Sequence, residues 1–245
     1  MMQSRHLTGP LHILPGWWLK IKYNSNIQEM TLGDEQLKWL WEKSGQRCVR
    51  NMKKRGFDAY FAPDVESART RALDFAADCE TFGFGGSATT RALGIVETLK
   101  KSDKIIYDHW VPGLTRAQDL EIRLAQGRCD CFLCSANAVA ETGEIVNVDG
   151  IGNRTAAMTF GPGKVLIIAG MNKVVPDLDA ALVRIREKAA PMRAKSLETQ
   201  TPCAETGTCS DCRSPQRICN ITTILHYKPR LTQVAVILVN QAMGF

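Results

Sequence analysis

Long apolar runs are missing from this sequence of 245 residues. None approaches the ~20 residues needed to span a bilayer, which excludes a membrane-spanning helix. A secretory signal is missing too. Leu11 to Leu19 is apolar but broken by Pro15 and Gly16, too short and irregular for a signal core. The net charge of +6 comes from Lys and Arg spread along the chain rather than clustered, so no nucleic-acid partner is called for. No stretch matches the phosphate-binding P-loop or the dinucleotide fingerprint, and a complete nicotinamide- or flavin-dependent dehydrogenase is therefore not expected in this chain. Cysteine is plentiful by contrast. There are nine, an odd number, and four of them crowd into one short stretch. Reduced thiols and a metal site in a cytoplasmic protein follow better than a disulfide framework.

Hydrophobic content of 44% and charged content of 23% are those of a globular chain that buries a sizeable core. Residues 1–30 lack helical or strand periodicity and read as an irregular leader, with Trp17 and Trp18 as docking candidates. From Asp34, a plausible N-cap, Leu37, Leu40, Trp41, Cys48 and Met52 recur at helical spacing as far as Gly56. Phe57–Phe61 reads as a strand, Val65–Ala77 as a helix, and Thr81–Phe84 as a strand entering the turn Gly85-Gly86-Ser87. A helix leaves that turn at Thr89 or Thr90 and runs to about Lys101. Lys104–Tyr107 continues as a strand, and His109 at its end is a minor ligand candidate. Thr115, with Gln118 in the capping-box position, opens a helix that buries Leu120, Ile122 and Leu124. Cys131–Cys134 is a buried strand whose cysteines serve as small apolar residues. Glu144–Val148 alternates as a half-buried strand, and Val165–Ala169 reads as a central parallel strand. Asp177–Ala189 is an amphipathic helix with Leu178, Ala181, Leu182 and Ile185 inward. Ile221–Tyr227 and Val234–Val239 read as an antiparallel pair around Lys228-Pro229-Arg230. The rhythm of strand and helix predicts one α/β domain over residues 31–245, with a mixed, mostly parallel sheet flanked by helices.

Two stretches carry chemistry. The first pairs the Gly85-Gly86-Ser87 turn, with Thr89 just inside the next helix, with a dense polar segment: Asn137, Glu141, Thr142, Gly143, Asn147, Asn153 and Arg154. Glycines let a backbone approach a ligand, and a helix start beside a guanidinium suits a carboxylate or phosphate. Both loops open on one sheet edge if the strands ending at Gly83 and Ser135 are neighbours. Glu141 would act on a hydroxyl as base or nucleophile, which fits a hydroxy acid or sugar phosphate better than a simple anion. The second stretch is TPCAETGTCSDCRSPQRICN, residues 201–220, with Cys203, Cys209, Cys212 and Cys219. It has almost no apolar residues, so a metal or disulfides must order it. Zinc ribbons pair two C-x2-C knuckles, and only one is present here. A [4Fe–4S] cluster is preferred, zinc comes second and disulfides third.

The segment from Asn137 to Gly161, with Gly85-Gly86-Ser87 upstream and the four-cysteine tail downstream, resembles the lactate-utilisation (LUD) domain proteins. It is most similar to the stand-alone form that ends in the four-cysteine motif. The likeness covers roughly residues 34–245. It implies a fold like that of ribose-phosphate isomerases and CoA transferases. It also implies work in lactate or related organic-acid utilisation, beside iron–sulfur partner proteins. Three functions stay open: an iron–sulfur subunit that binds a small anionic ligand; an autonomous isomerase or acyl/CoA-transfer enzyme using Glu141; and a ligand sensor with a structural metal. The sequence leaves the oligomeric state undetermined.

Overall fold

The structure is a computed structural model and describes residues 32–245; the expected leader, residues 1–30, lies outside them. In chain order the elements are α1 (Leu32–Lys54), β1 (Asp58–Ala62), α2 (Val65–Phe75), β2 (Thr81–Phe84), α3 (Ala88–Ala92), α4 (Ile95–Lys100), β3 (Ile105–Tyr107), α5 (Arg116–Gln126), β4 (Cys131–Cys134), β5 (Ala138–Ala140), β6 (Ile145–Asp149), α6 (Asn153–Thr159) and β7 (Lys164–Gly170). A 3-10 turn (Met171–Lys173) leads to β8 (Val174–Val175). Then come α7 (Leu178–Arg184), a π-helical turn (Ile185–Ala189), α8 (Ala190–Ser196), α9 (Pro202–Thr206), β9 (Ile221–Leu225) and β10 (Gln233–Val239).

Six strands form a wholly parallel sheet in the order β1-β10-β7-β4-β2-β3. Its central strands are apolar on both faces because both faces are covered. Along β10, Val234, Val236 and Leu238 join Cys48 and Met52 of α1 on one side. Ala235, Ile237 and Val239 join Ala68 and Ala72 of α2 on the other. This is the period-two alternation of a strand, applied to a two-sided core.

The remaining strands make a smaller mixed sheet in the order β8-β5-β6-β9, with α7 packed on it through Ala181 and Ile185.

The last two strands differ from the expected antiparallel pair. β9 runs antiparallel to β6 in the small sheet, whereas β10 lies between β1 and β7 in the large one, parallel to both. Composition explains the split. Ile221-Thr222-Thr223 is exposed or half-exposed and suits an edge, while the continuous run Val234–Val239 is wholly buried.

The helix expected up to Lys101 is broken at Gly94, whose φ of +66° separates α3 from α4. On α5, Leu120 and Leu124 are exposed and Gln126 is the buried residue. Leu37 and Leu40 of α1 and Leu182 of α7 are likewise exposed among the described residues. The first helix begins before Asp34, which lies in its first turn.

The helix expected to end at Ala189 continues through the π turn into α8. Pro191 has no N–H for the carbonyl of Glu187, and its ring would crowd that carbonyl in a regular α-helix, so the widened turn relieves the conflict.

Candidate functional site

The carboxyl ends of β2, β3, β4 and β7 all point to one edge of the large sheet, where ligands bind in open α/β folds. A cleft of about 280 Å³ opens there. Its floor is the Gly85–Thr89 turn after β2, His109 and Trp110 after β3, Ser135–Asn137 after β4, and Lys173 after β7. Asp149 at the end of β6, residues 150–152 and the first turn of α6 with Asn153 and Arg154 line one side, and the π turn with Arg193 of α8 the other. β2 and β4 are direct neighbours, with Gly83 opposite Phe132, so both polar stretches of the sequence do meet.

Two glycines are required here for different reasons. A Cβ on Gly85 would sit 3.1–3.2 Å from Phe132, Cys134 and Arg154, so the backbone is packed directly against the arginine stem. A Cβ on Gly86 would lie 2.3 Å from the Trp110 indole nitrogen, and its φ of +65° is strained for other residues. Ser87 is the N-cap of α3, its hydroxyl accepting from the Thr90 N–H at 3.2 Å. The helix it caps has only five residues, so the expected helix-end anion site shrinks to the turn itself.

Of the residues singled out in the sequence, Gly85, Gly86, Ser87, Thr89, Asn137, Asn153 and Arg154 line the cleft. Asn137 is also a structural hub. Its Oδ1 accepts from Val148 N at 2.9 Å and from Arg154 Nη2 at 2.9 Å, and its own N–H donates to Asn147 Oδ1 at 3.1 Å. Asn147 is therefore a buried brace beneath the cleft rather than part of its wall. Arg154 spends its donors inside the protein, on Asn137 Oδ1 and on Val148 O at 2.7 Å, with Asp149 Oδ1 3.8 Å from its Nε.

Glu141, Thr142 and Gly143 do not reach the cleft. The Glu141 carboxylate accepts from Arg47 Nε at 2.6 Å and from Ser44 Oγ at 2.5 Å, fastening α1 to the turn before β6. Burial pushes its pKa up, but the Arg47 and Ser44 bonds outweigh that and hold it below the usual carboxylate range. Thr142 bonds to Glu144, and Gly143 packs against Arg55. A carboxylate so neutralised, on another face, has no proton to exchange with a ligand in the cleft.

Lys173 and Arg193 were not picked out from the sequence. Lys173 is 4% exposed, and its Nζ donates to Ser135 Oγ at 3.0 Å and Thr89 Oγ1 at 3.1 Å. No carboxylate lies within ion-pair distance of it among the described residues. Burial, with Arg184 and Arg154 nearby, pushes its amine down to about 7. The guanidinium of Arg193 stands over the Trp110 ring at 4.9 Å, likewise with no carboxylate partner among the described residues. Burial and Arg154 lower its pKa. His109 is neutral near pH 7, since burial and then Arg123 push it down to about 4. Its Nδ1 lies 2.8 Å from the Gln126 amide nitrogen; with that amide as donor, Nδ1 accepts and Nε2 carries the proton. Position at a strand end was the one signal that could have found Lys173; Arg193 had none, since it lies mid-helix.

The four tail cysteines are free and half-buried. Cys203 lies on α9, while Cys209, Cys212 and Cys219 occupy an irregular loop. Arg217 ties that loop together, donating to Cys212 O at 2.7 Å and to Cys219 O at 3.2 Å and pairing with Asp211 at 2.8 Å. Burial pushes the Cys219 thiol up, Arg217 opposes it, and Cys209 and Cys212 add a smaller upward push. Among the described residues no three His, Cys, Asp or Glu side chains converge as they would around one bare ion. Four thiols are the ligand type that iron–sulfur clusters take, and here they are divided between α9 and the loop that follows it. The loop also borders the cleft, for Ile218, next to Cys219, is part of its wall.

A profile of the LUD domain matches residues 45–239. The chain belongs to the LUD-domain family. None of the curated proteins matches it. A solved structure of a DUF162 family protein from Deinococcus radiodurans aligns with 14% identity and a TM-score of 0.42, covering 85% of this chain and 99% of that one. That likeness is too distant to bear on chemistry. Among the described residues no helix is long and apolar enough to cross a membrane.

Proposed function

We propose that this LUD-domain protein binds a small organic-acid anion in the cleft and serves organic-acid utilisation as an iron–sulfur subunit. The single observation that carries the binding reading is the charge of the wall. Among the described residues, Arg123, Arg154 and Arg193 line the cleft against one acidic side chain, Asp149. Asp149 is itself engaged, accepting from the Thr155 N–H at 3.1 Å. Arg193 is the anchor for the ligand carboxylate because, unlike Arg154, its guanidinium is not consumed by main-chain carbonyls. Asn153 and the protonated Nε2 of neutral His109 offer uncharged partners for a hydroxyl, so a 2-hydroxy acid fits the wall better than a simple anion. The cluster, held by Cys203, Cys209, Cys212 and Cys219, would supply one-electron chemistry next to that wall, for exchange with iron–sulfur partner proteins. The autonomous isomerase or acyl-transfer reading rested on Glu141 and loses its base.

Calorimetric titration of the anaerobically prepared chain tests this with L-lactate and its neutral amide. Saturable binding of the acid, absent for the amide and at least tenfold weaker in Arg193→Gln, supports the reading; tenfold is about 1.4 kcal/mol. Arg47→Gln, remote from the cleft, leaves it unchanged. Equal binding of acid and amide overturns the proposal.

A further inference from the structure

Lys173 is the buried amine of the cleft, and the binding reading gives it no task. A lysine that merely braced the fold would have an acid partner, and Lys173 has none among the described residues. Its Nζ meets two hydroxyls, Ser135 at 3.0 Å and Thr89 at 3.1 Å, and no carboxylate among the described residues. The charged groups nearest in effect are Arg184 of α7 and Arg154 of α6, both cations, with the Cys134 thiol of β4 as a weak counterweight. Arg184 is held in place by donating to the main-chain carbonyls of Asn137 and Asn172, so it cannot swing away. The lysine is also fixed in position. It ends a short 3-10 turn at the carboxyl end of the central strand β7, and Asn172 beside it clamps the chain over the cleft, accepting from Met243 N at 3.0 Å and donating to Gly244 O at 3.2 Å. Desolvation next to other cations is one of the recognised ways a protein turns a lysine into an amine nucleophile.

We propose that Lys173 forms a reversible imine with the carbonyl carbon of a small 2-oxo acid bound in this cleft. The proposal rests on the anion-binding reading above, because Arg193 would hold the ligand carboxylate while the adjacent carbonyl meets the amine. In the step, the Nζ lone pair forms a bond to the carbonyl carbon, and the C=O π electrons move to oxygen. The two amine protons reach that oxygen, which leaves as water as the C=N bond closes. Ser135 and Thr89 can each accept a proton from Nζ and hand one on, so no external acid or oxidant is needed. Both partners change without net redox. The cleft would thereby tell a 2-oxo acid from the matching 2-hydroxy acid, which has no carbonyl to capture.

The test is reductive trapping on the full chain, prepared anaerobically. The protein is incubated with glyoxylate or pyruvate and sodium cyanoborohydride, then analysed by intact mass and peptide mapping, with parallel calorimetry of L-lactate. One adduct on the peptide that carries Lys173, at least tenfold above any other lysine and competed away by lactate, is the expected result. Lys173→Arg should abolish that adduct. If lactate binds but trapping is spread evenly over surface lysines or absent, the imine is wrong and the binding reading stands. If neither lactate nor a 2-oxo acid binds, both fail. The labelling pattern of the unaltered chain decides even if the variant does not fold.

Discussion

Replacing Lys173 by Met tests the electrostatics of the cleft through stability. The side chain keeps most of its length but loses the amine. In the folded chain burial and the neighbouring Arg184 and Arg154 lower the amine from its ordinary 10.5 to about 7. At about 1.36 kcal/mol per pH unit, keeping it protonated in the fold costs roughly 5 kcal/mol. Lost bonds to Ser135 and Thr89 offset part of what the variant gains, at about 1–3 kcal/mol. The pH dependence separates the two, since those bonds do not involve a net proton. Between pH 7 and 10.5 the unfolded chain binds more protons than the folded one, so this group makes wild-type stability rise with pH in that window and leaves it flat below 7. Lys173→Met lacks the slope. Urea unfolding of both proteins under reductant at pH 6, 7, 8 and 9 should show the variant losing about 2 kcal/mol relative to wild type between pH 7 and 9. Parallel pH curves would refute the reasoning.

The other perturbations each address one feature. Gly86→Ala forces a Cβ into the Trp110 indole at a φ of +65° and should destabilise the fold by about 1–3 kcal/mol, read by denaturant melts, and weaken lactate binding. Arg154→Ala removes bonds to Asn137 Oδ1 and Val148 O, so it should cost roughly 1.5–3 kcal/mol of stability in the same melts before any effect on ligand is considered. Glu141→Gln should leave lactate affinity within twofold by calorimetry, because its carboxylate serves Arg47 and Ser44 outside the cleft. Anaerobically made protein should be brown with iron and sulfide. Cys212→Ser should lose that iron while Cys131→Ser keeps it, whereas stoichiometric zinc without sulfide would exclude the cluster.

The parallel sheet and the meeting of the two polar stretches were legible because each rests on local signals. β7 is a continuous apolar run, Gly85-Gly86-Ser87 sits in the loop after β2, and Asn153-Arg154 opens the helix that follows β6. The partners of β9 and β10 were not legible. Two short strands joined by Lys228-Pro229-Arg230 look like a hairpin, and only long-range pairing with β6 and with β1 and β7 separates them. The same limit misled the reading of Glu141. It lies among polar residues in sequence, but the ion pair to Arg47, far away in the chain, turns it from the cleft. Arg193 belongs to a helix with no motif, and the π turn before it lines the same wall. Lys173 was visible as a lysine after a strand; its burial among cations was not.

The most direct test of the central claim is a crystal structure of the anaerobically prepared chain with L-lactate. The account predicts the ligand in the cleft at the carboxyl ends of β2, β4 and β7, its carboxylate on the Arg193 guanidinium and its hydroxyl toward Asn153 or His109. A well-occupied lactate bound elsewhere, with this cleft holding only water, would contradict it.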